Sequence, residues 1–184
     1  MTFAIIGLNG HAGSGKDTIG NFLVSAHGFT RFAYADALKT ALLQTNPVIY
    51  DRVHLQEIVS EHGMDFAKRV FPEVRRLLQE FGTSMRRVDP AIWLRPLDSL
   101  VQSGVHRIVV TDVRYDNEAA QVAGLNGINY VVSRPGFELS GPESVHASER
   151  GIAPEFVDAH IVNDGDMYDL YGQVEELLDY QGLI

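Results

Sequence analysis

A glycine-rich segment near the amino end carries residue types that can hold phosphate. Gly10-His-Ala-Gly-Ser-Gly-Lys16 has the spacing G-x-x-x-x-G-K, in which backbone N–H groups turn around phosphate oxygens and the lysine neutralises them. The segment follows an apolar run and precedes a helical pattern, so the positive end of the helix adds to the cradle. We therefore predict a nucleoside triphosphate site in which Lys16 is also catalytic. Its predicted residues are Gly10, Ala12, Gly13, Ser14, Gly15 and Lys16.

Three side chains are candidates for a magnesium site beside these phosphates. Asp17 occupies the place where such loops usually have a Ser or Thr that ligates Mg²⁺, and Thr18 follows it. A carboxylate next to a triphosphate is repelled unless a cation lies between them, so either Asp17 faces Mg²⁺ or Thr18 supplies the hydroxyl. The alternative is that Asp17 only complements the positive end of a helix. Asp112 ends the apolar run that begins at Ile108, which predicts a metal-binding carboxylate at the carboxyl edge of a sheet.

Arg114 lies two residues beyond Asp112. At that distance its guanidinium can reach a transferring phosphoryl group and stabilise the charge of the transition state. The alternative is a simple ion pair with Asp112.

A cationic stretch between residues 68 and 95 holds seven of the fifteen Lys and Arg residues of the chain. Within it Arg75 and Gln79 are four residues apart and share a helix face, so a guanidinium can hold a monophosphate while an amide reads a base. Arg76 and Glu80 have the same spacing and are expected to form only a surface ion pair. Arg75 and Gln79 thus predict a second pocket, for a nucleotide acceptor, and Arg86, Arg87 and Trp93 continue the cluster.

Two further regions could contribute to catalysis. Asp36 and Lys39 are predicted to open a helix at the carboxyl edge of the sheet, where Asp36 would act near the acceptor; helix capping is the alternative for Asp36. Residues 134–158 are rich in Gly, Pro, Ser and Glu, a composition that predicts a lid able to exclude water. Arg134 and Arg150 are its candidate phosphate clamps.

The elements that must position these residues follow from hydrophobic periodicity. Apolar runs predict five strands, at residues 3–8, 29–35, 107–111, 129–133 and 159–162. Helical patterns follow Lys16, with a stop at Gly28, and Met167. We therefore predict an α/β fold of three layers with a five-stranded parallel sheet. The single domain 1–184 would comprise a core (1–35, 107–133 and 159–184), a mostly helical acceptor-binding insertion (36–106) and the lid (134–158).

Composition and net charge limit the kinds of molecule that the protein is expected to bind. The chain of 184 residues has no Cys, and its 24 acidic against 15 basic residues give a net charge of −9, which disfavours stable nucleic-acid binding. The first residues do not read as a signal peptide, and no apolar run is long enough to span a bilayer. We expect a cytoplasmic protein that binds small molecules and not membranes, with a homodimer as one option for its assembly.

In the order and spacing of its motifs, the chain resembles the deoxynucleoside monophosphate kinases of tailed bacteriophages, relatives of adenylate kinase and phosphomevalonate kinase. The segments that carry the resemblance are Gly13–Thr18, Ala35–Lys39, Leu77–Thr83 with Arg86 and Arg87, Val110–Tyr115 with Asn117 and Glu118, His146–Glu149, and Ile161–Gly165.

This resemblance implies a P-loop NTPase fold with an NMP-binding insertion and a lid, ATP and Mg²⁺, and phosphoryl transfer to a deoxynucleoside monophosphate. An Asp at position 17 is familiar in such kinases. The resemblance also implies that Asn163, Asp164 and Gly165 lie beside the adenine of ATP, and that Thr83, Asn117 and Glu118 join the acceptor site.

Two other functions remain open on the sequence. A related kinase could act on phosphomevalonate or on a modified base in phage DNA, although the net acidity disfavours a polymeric acceptor. A nucleotide-binding switch with slow hydrolysis is a different class, and the acceptor pair Arg75 and Gln79 disfavours it.

Overall fold

The computed structural model describes residues 3–136 and 151–184. The chain divides into two compact units, one made of residues 1–33 and 97–184 and the other of Tyr34–Pro96. In chain order the elements are β1 (Ala4–Asn9), α1 (Lys16–His27), β2 (Thr30–Phe32), α2 (Tyr34–Thr45), β3 (Val48–Tyr50), β4 (Val53–His54), α3 (Leu55–His62), α4 (Met64–Val70), α5 (Pro72–Val88), α6 (Arg95–Gln102), β5 (Arg107–Val110), α7 (Asp116–Gly124), β6 (Ile128–Ser133), a 3-10 turn (Pro154–Phe156), β7 (Ala159–Val162) and α8 (Met167–Tyr180).

The first unit is built on a five-stranded sheet in the order β2-β5-β1-β6-β7, with every neighbouring pair parallel. All six residues of the central strand β1 are buried, because helices cover both faces and leave no polar side to the strand. The predicted five-stranded parallel sheet is confirmed.

Helices α1 and α8 cover one face of this sheet. Ile6 and Leu8 of β1 lie in one apolar cluster with Ile19 of α1 and Val174 of α8. On the opposite face Asn129 of β6 donates its side-chain amide to the Ala119 carbonyl of α7, over 3.1 Å. The three predicted layers are therefore α1 with α8, the sheet, and α7.

Helix α1 ends where the sequence predicts. Gly28 has φ 67° and ψ 28°, and its N–H donates to the Leu23 carbonyl, which is a left-handed helix stop that glycine adopts without strain. The second strand is shorter than predicted, because Tyr34 already begins α2 and the strand stops at Phe32. The expected extension of that strand to Ala35 is wrong.

The second unit is mainly helical and has its own core. Leu42, Leu55, Ile58 and Val74 are buried in it together with Phe66 and Phe71 at its margin. It also contains a small antiparallel pair, β3 with β4, which hydrophobic periodicity did not predict. Asp51 (φ 34°) and Arg52 (φ 69°) form the turn between these strands.

Candidate active site

The loop between β1 and α1 is shaped by three glycines with positive φ. These are Gly10 (145°), Gly13 (79°) and Gly15 (113°), values that other residues adopt only with strain. Gly10 also lacks room for a side chain, since an added Cβ would overlap the Val132 carbonyl oxygen of the neighbouring strand. The loop therefore has the tight, glycine-dependent course that the phosphate-binding motif requires.

Lys16 begins α1 and folds its side chain back over this loop. Its Nζ lies 2.6 Å from the Gly10 carbonyl oxygen and 2.6 Å from that of His11. These two acceptors hold the ammonium at the loop, where an incoming phosphate oxygen can replace them as its partner. The Lys16 ammonium therefore lies at the loop, and its binding of phosphate stays a prediction.

Hydrogen bonds fasten the residue after Asp112 to the end of β1, the strand that leads into the loop. The Val113 N–H donates to the Leu8 carbonyl over 3.1 Å, and the Asn9 side chain donates to the Val113 carbonyl over 2.7 Å. On the other side Thr111 packs so closely on α1 that a Cβ on Gly20 would lie 2.7 Å from its Cγ2. Asp112 is therefore held at the carboxyl edge of the sheet, next to the start of α1.

The two candidate metal ligands of α1 lie on different flanks of that helix. Gly20 contacts Thr111 of the β5 side, and Asp17 precedes Gly20 by three residues, so it shares that flank. Phe22 stacks on Tyr171 of α8 with ring centroids 4.1 Å apart, and Thr18 precedes Phe22 by four residues, so it belongs to the α8 flank. Of the two, Asp17 is therefore on the side of α1 that faces the end of β5, where Asp112 follows.

Arg114 is positioned by Glu118. The Glu118 carboxylate accepts the backbone N–H of Arg114 over 2.8 Å and that of Tyr115 over 3.2 Å, and the residue is only 1% exposed. This capping arrangement starts α7 and fixes the turn from which Arg114 projects. Glu118 is predicted to bind the acceptor, but its carboxylate is buried and accepts backbone N–H groups, a position that suits holding the turn better than contacting a ligand. Asn117 lies next to it in the first turn of α7.

Asn163 follows β7 and reaches the phosphate-binding loop. Its backbone N–H donates to the Ser133 carbonyl over 2.8 Å, and its side-chain Nδ2 donates to the Ser14 carbonyl over 2.9 Å. Asp164 and Gly165 are exposed. They lead into the cap of α8, where Asp169 accepts the Asp166 N–H over 2.9 Å. The structure thus brings Asn163 to the loop, 149 residues away in sequence.

In the second unit, four residues of α5 form one stripe. Arg75, Gln79, Gly82 and Arg86 are separated by four, three and four positions, which places them on the same helix face. Gly82 lies against α2, because a Cβ added to it would be 3.0 Å from Leu38 Cδ2. Lys39, next to Leu38, forms an ion pair with Asp36 over 2.9 Å. Since α2 begins at Tyr34, Asp36 lies inside the helix and does not cap it.

Lys68, the first residue of the cationic stretch, extends this charged region together with Asp65, which was missed from sequence. The Arg75 Nε donates to the Lys68 carbonyl over 3.0 Å, and the Lys68 ammonium pairs with Asp65 over 2.7 Å. The hydrogen bond and charge of Lys68 lower the pKa of the Asp65 carboxyl, and Lys39 and Arg69 lower it further. Asp65 is therefore a carboxylate among cations. Its three-residue spacing from Lys68 was the available signal.

Other predicted acceptor residues lie elsewhere. Trp93 is only 5% exposed, and its indole N–H donates to the Gly82 carbonyl over 3.2 Å, so it is a packing residue and not the predicted ligand contact. The exposed Arg87 falls outside the α5 stripe, whereas Thr83, four residues after Gln79 and three before Arg86, borders it. Arg76 forms the expected ion pair with Glu80, over 2.5 Å, and a second one with Glu73.

Arg134 is exposed just after β6, whereas Arg150 and most of the predicted lid (137–150) lie outside the described residues.

The donor set at the loop suits Mg²⁺ bound together with phosphates. Within residues 3–136 and 151–184, no three acidic or histidine side chains cluster into a complete metal site. Mg²⁺ usually keeps several waters and takes one or two carboxylates plus phosphate oxygens. Asp17, on the flank of α1 that contacts Thr111, and Asp112, the residue after Thr111, are the candidate carboxylates.

The sheet order, the lysine-bearing loop after the central strand and the acid after β5 define a P-loop kinase fold. Dephospho-CoA kinase from Campylobacter jejuni is similar in structure, with a TM-score of 0.50, 13% identity and coverage of 96% of both chains. A family model for deoxynucleotide monophosphate kinase matches residues 53–174, and the chain belongs to this family. The predicted fold and family are confirmed.

Viral relatives agree with this assignment. A protein of Acanthamoeba polyphaga mimivirus described as "Putative deoxynucleotide monophosphate kinase" is 26% identical in an alignment 195 residues long. The alignment covers 95% of this chain and 96% of the relative. The deoxynucleoside-5'-monophosphate kinase of Escherichia phage T5 is 31% identical over 60% of this chain, and the match spans 47% of its own length. In the part of the chain that the structure describes, no helix is both long and apolar enough to cross a membrane.

Proposed function

We propose that this protein transfers the γ-phosphoryl group of ATP to the phosphate of a deoxynucleoside monophosphate, directly and without a covalent intermediate. The observation that carries the proposal is the arrangement of Lys16, Asp112 and Arg114 at one edge of the sheet: an ammonium on the phosphate loop, a carboxylate after β5, and an arginine whose backbone N–H is held by Glu118. These are the groups that phosphoryl transfer needs, since catalysis there is mostly positioning and charge neutralisation.

Asp17 and Asp112 would hold Mg²⁺ directly or through its waters, and Mg²⁺ would neutralise the β and γ oxygens of ATP. The α1 flank supports Asp17 over Thr18 as the metal-facing residue. Arg114 would then stabilise the charge that spreads over the equatorial oxygens of the transferring group. Arg134, exposed after β6, would add a second guanidinium toward the ATP phosphates.

The acceptor would bind residues of the second unit. The α5 stripe provides guanidinium groups at Arg75 and Arg86, with the Gln79 amide between them, and Lys39 adds a positive charge from α2. A dianionic monophosphate suits these cations, and an amide can hydrogen-bond a base edge. The family name and the named relatives favour a deoxynucleotide as the acceptor.

The test is a coupled assay of ADP production with ATP, Mg²⁺ and each common dNMP and NMP in turn. We expect at least one dNMP to raise turnover well above the ATP-only rate, and Lys16→Ala to abolish this stimulation with an unchanged melting temperature. If no monophosphate stimulates ADP release by the wild-type protein, the proposal fails.

A further inference from the structure

The Asn163 side chain is placed to fix the orientation of one peptide group in the phosphate loop. Its backbone is fixed by the hydrogen bond from its N–H to Ser133, over 2.8 Å, and its Nδ2 donates to the Ser14 carbonyl over 2.9 Å. Ser14 itself is only 3% exposed. The side-chain amide therefore donates to the loop from a residue whose backbone is held at the end of a sheet strand.

Gly15 provides a second, independent sign that this contact is built into the loop. A Cβ at Gly15 would lie 2.7 Å from Asn163 Nδ2 and 3.6 Å from Leu170 Cδ2. Its φ of 113° is also unsuited to other residues. The loop can approach Asn163 this closely only because position 15 has no side chain.

The hydrogen bond to the Ser14 carbonyl also determines the direction of the next backbone N–H, that of Gly15. In a planar trans peptide the C=O and the following N–H point in opposite directions. When Asn163 binds the Ser14 oxygen, the Gly15 N–H must therefore point away from Asn163. In a phosphate loop, the N–H groups that turn inward bind the phosphate oxygens.

We propose that Asn163 is a positioning residue for triphosphate binding: its amide orients the Ser14–Gly15 peptide so that the Gly15 N–H is presented to a phosphate oxygen. The inference rests on the proposed binding of ATP phosphates by this loop, and it differs from the adenine contact that the resemblance implies for Asn163. An adenine contact affects only ligands with a base. An oriented peptide affects any ligand with the phosphates.

Inorganic tripolyphosphate, which has no base, separates the two roles. We compare the wild-type protein with Asn163→Leu, which keeps the size of the side chain but cannot donate, by calorimetric titration with ATP and with tripolyphosphate. We expect both affinities to fall by a similar factor, on the order of tenfold for one lost, well-aligned hydrogen bond. A loss confined to ATP would assign Asn163 to the base and overturn the proposal, as would unchanged affinity for both.

Gln173→Leu is the matched control. The Gln173 amide bonds both the N–H and the carbonyl of Val162, over 3.1 and 2.9 Å, so it supports the same strand end without contacting the loop. We expect this variant to bind tripolyphosphate like the wild type. An equal loss in both variants would mean that strand integrity, and not the Ser14 contact, controls affinity, and would overturn the proposal.

A measurement on the wild-type protein removes any dependence on how the variants fold. The backbone amide resonance of Gly15 should show one of the largest ¹H and ¹⁵N shifts of the loop when tripolyphosphate is added. Binding without a response at Gly15 would overturn the proposal. If the wild-type protein binds neither tripolyphosphate nor ATP, the proposed function fails and this inference fails with it, whereas binding without phosphoryl transfer would leave the inference intact.

Discussion

The buried carboxylate of Glu118 accepts the backbone N–H of Arg114 over 2.8 Å. The same oxygen accepts the Tyr115 N–H over 3.2 Å. Two donors on one charged oxygen make a strong, direction-specific contact. The turn that carries Arg114 is therefore fixed before any ligand binds, which would lower the cost of aligning its guanidinium in the proposed transfer.

Glu118→Gln should reduce kcat several-fold and leave the KM for ATP nearly unchanged. The amide keeps the shape of the side chain but loses the negative charge, so the Arg114 turn is held less firmly, with a stability loss of about 1 kcal/mol. Steady-state kinetics and thermal unfolding measure both effects. Glu176→Gln, at an exposed position of α8, is the control. A variant with full kcat would show that Glu118 does not position Arg114 for catalysis.

Arg75→Ala should raise the KM for the monophosphate by roughly tenfold or more, since it removes a charged hydrogen bond to the acceptor. The KM for ATP should not change. Arg87→Ala is the matched variant, because Arg87 belongs to the same helix but lies outside its acceptor stripe, and it should have little effect. Equal changes in both KM values, or equal effects of the two substitutions, would point to a structural role for Arg75.

Asp65→Asn should lower the KM for the monophosphate by a few-fold. Asp65 pairs with Lys68 over 2.7 Å, and Lys39 also lowers the pKa of its carboxyl. Its charge therefore competes with an incoming phosphate for these cations. Glu61→Gln in α3 removes an equal charge from the same unit and serves as the control. A KM that rises in Asp65→Asn would contradict the competition and indicate that Asp65 orders the cations instead.

Asp17→Asn should shift the Mg²⁺ dependence of activity to higher free Mg²⁺, because the amide keeps the shape but not the charge of the ligand. Asp17→Ser should retain more activity than Asp17→Ala, since a hydroxyl can ligate the ion and a methyl group cannot. Activity is titrated against Mg²⁺ at saturating ATP and dNMP. If Asp17 only complements the helix dipole, all three variants should lose about 0.3–1 kcal/mol of stability and keep the wild-type Mg²⁺ curve.

Much of the first unit was predictable because its signals are local. The strand of β1, the glycine-rich loop and the Gly28 stop of α1 each follow from adjacent residues. The β3–β4 pair was not predictable, because Arg52 adopts positive φ at the turn position where Gly usually follows Asn or Asp.

The positioning residues of the site were harder to predict than its chemical groups. Sequence spacing identifies Lys16 and Asp112, but it does not tell which polar residues become buried. Glu118 therefore could not be separated from a surface acid by its sequence. Likewise, the contact between Asn163 and Ser14 joins residues 149 positions apart and depends on the order of strands in the sheet.

Direct phosphoryl transfer is tested by a single-turnover reaction with [γ-³²P]ATP, Mg²⁺ and the dNMP that gives the highest turnover. We expect the label to move from ATP to the deoxynucleoside diphosphate, with none in protein precipitated during the reaction and none transferred by Lys16→Ala. Label that appears only as inorganic phosphate, at a rate independent of the dNMP, would rule out a kinase and indicate a nucleotide hydrolase.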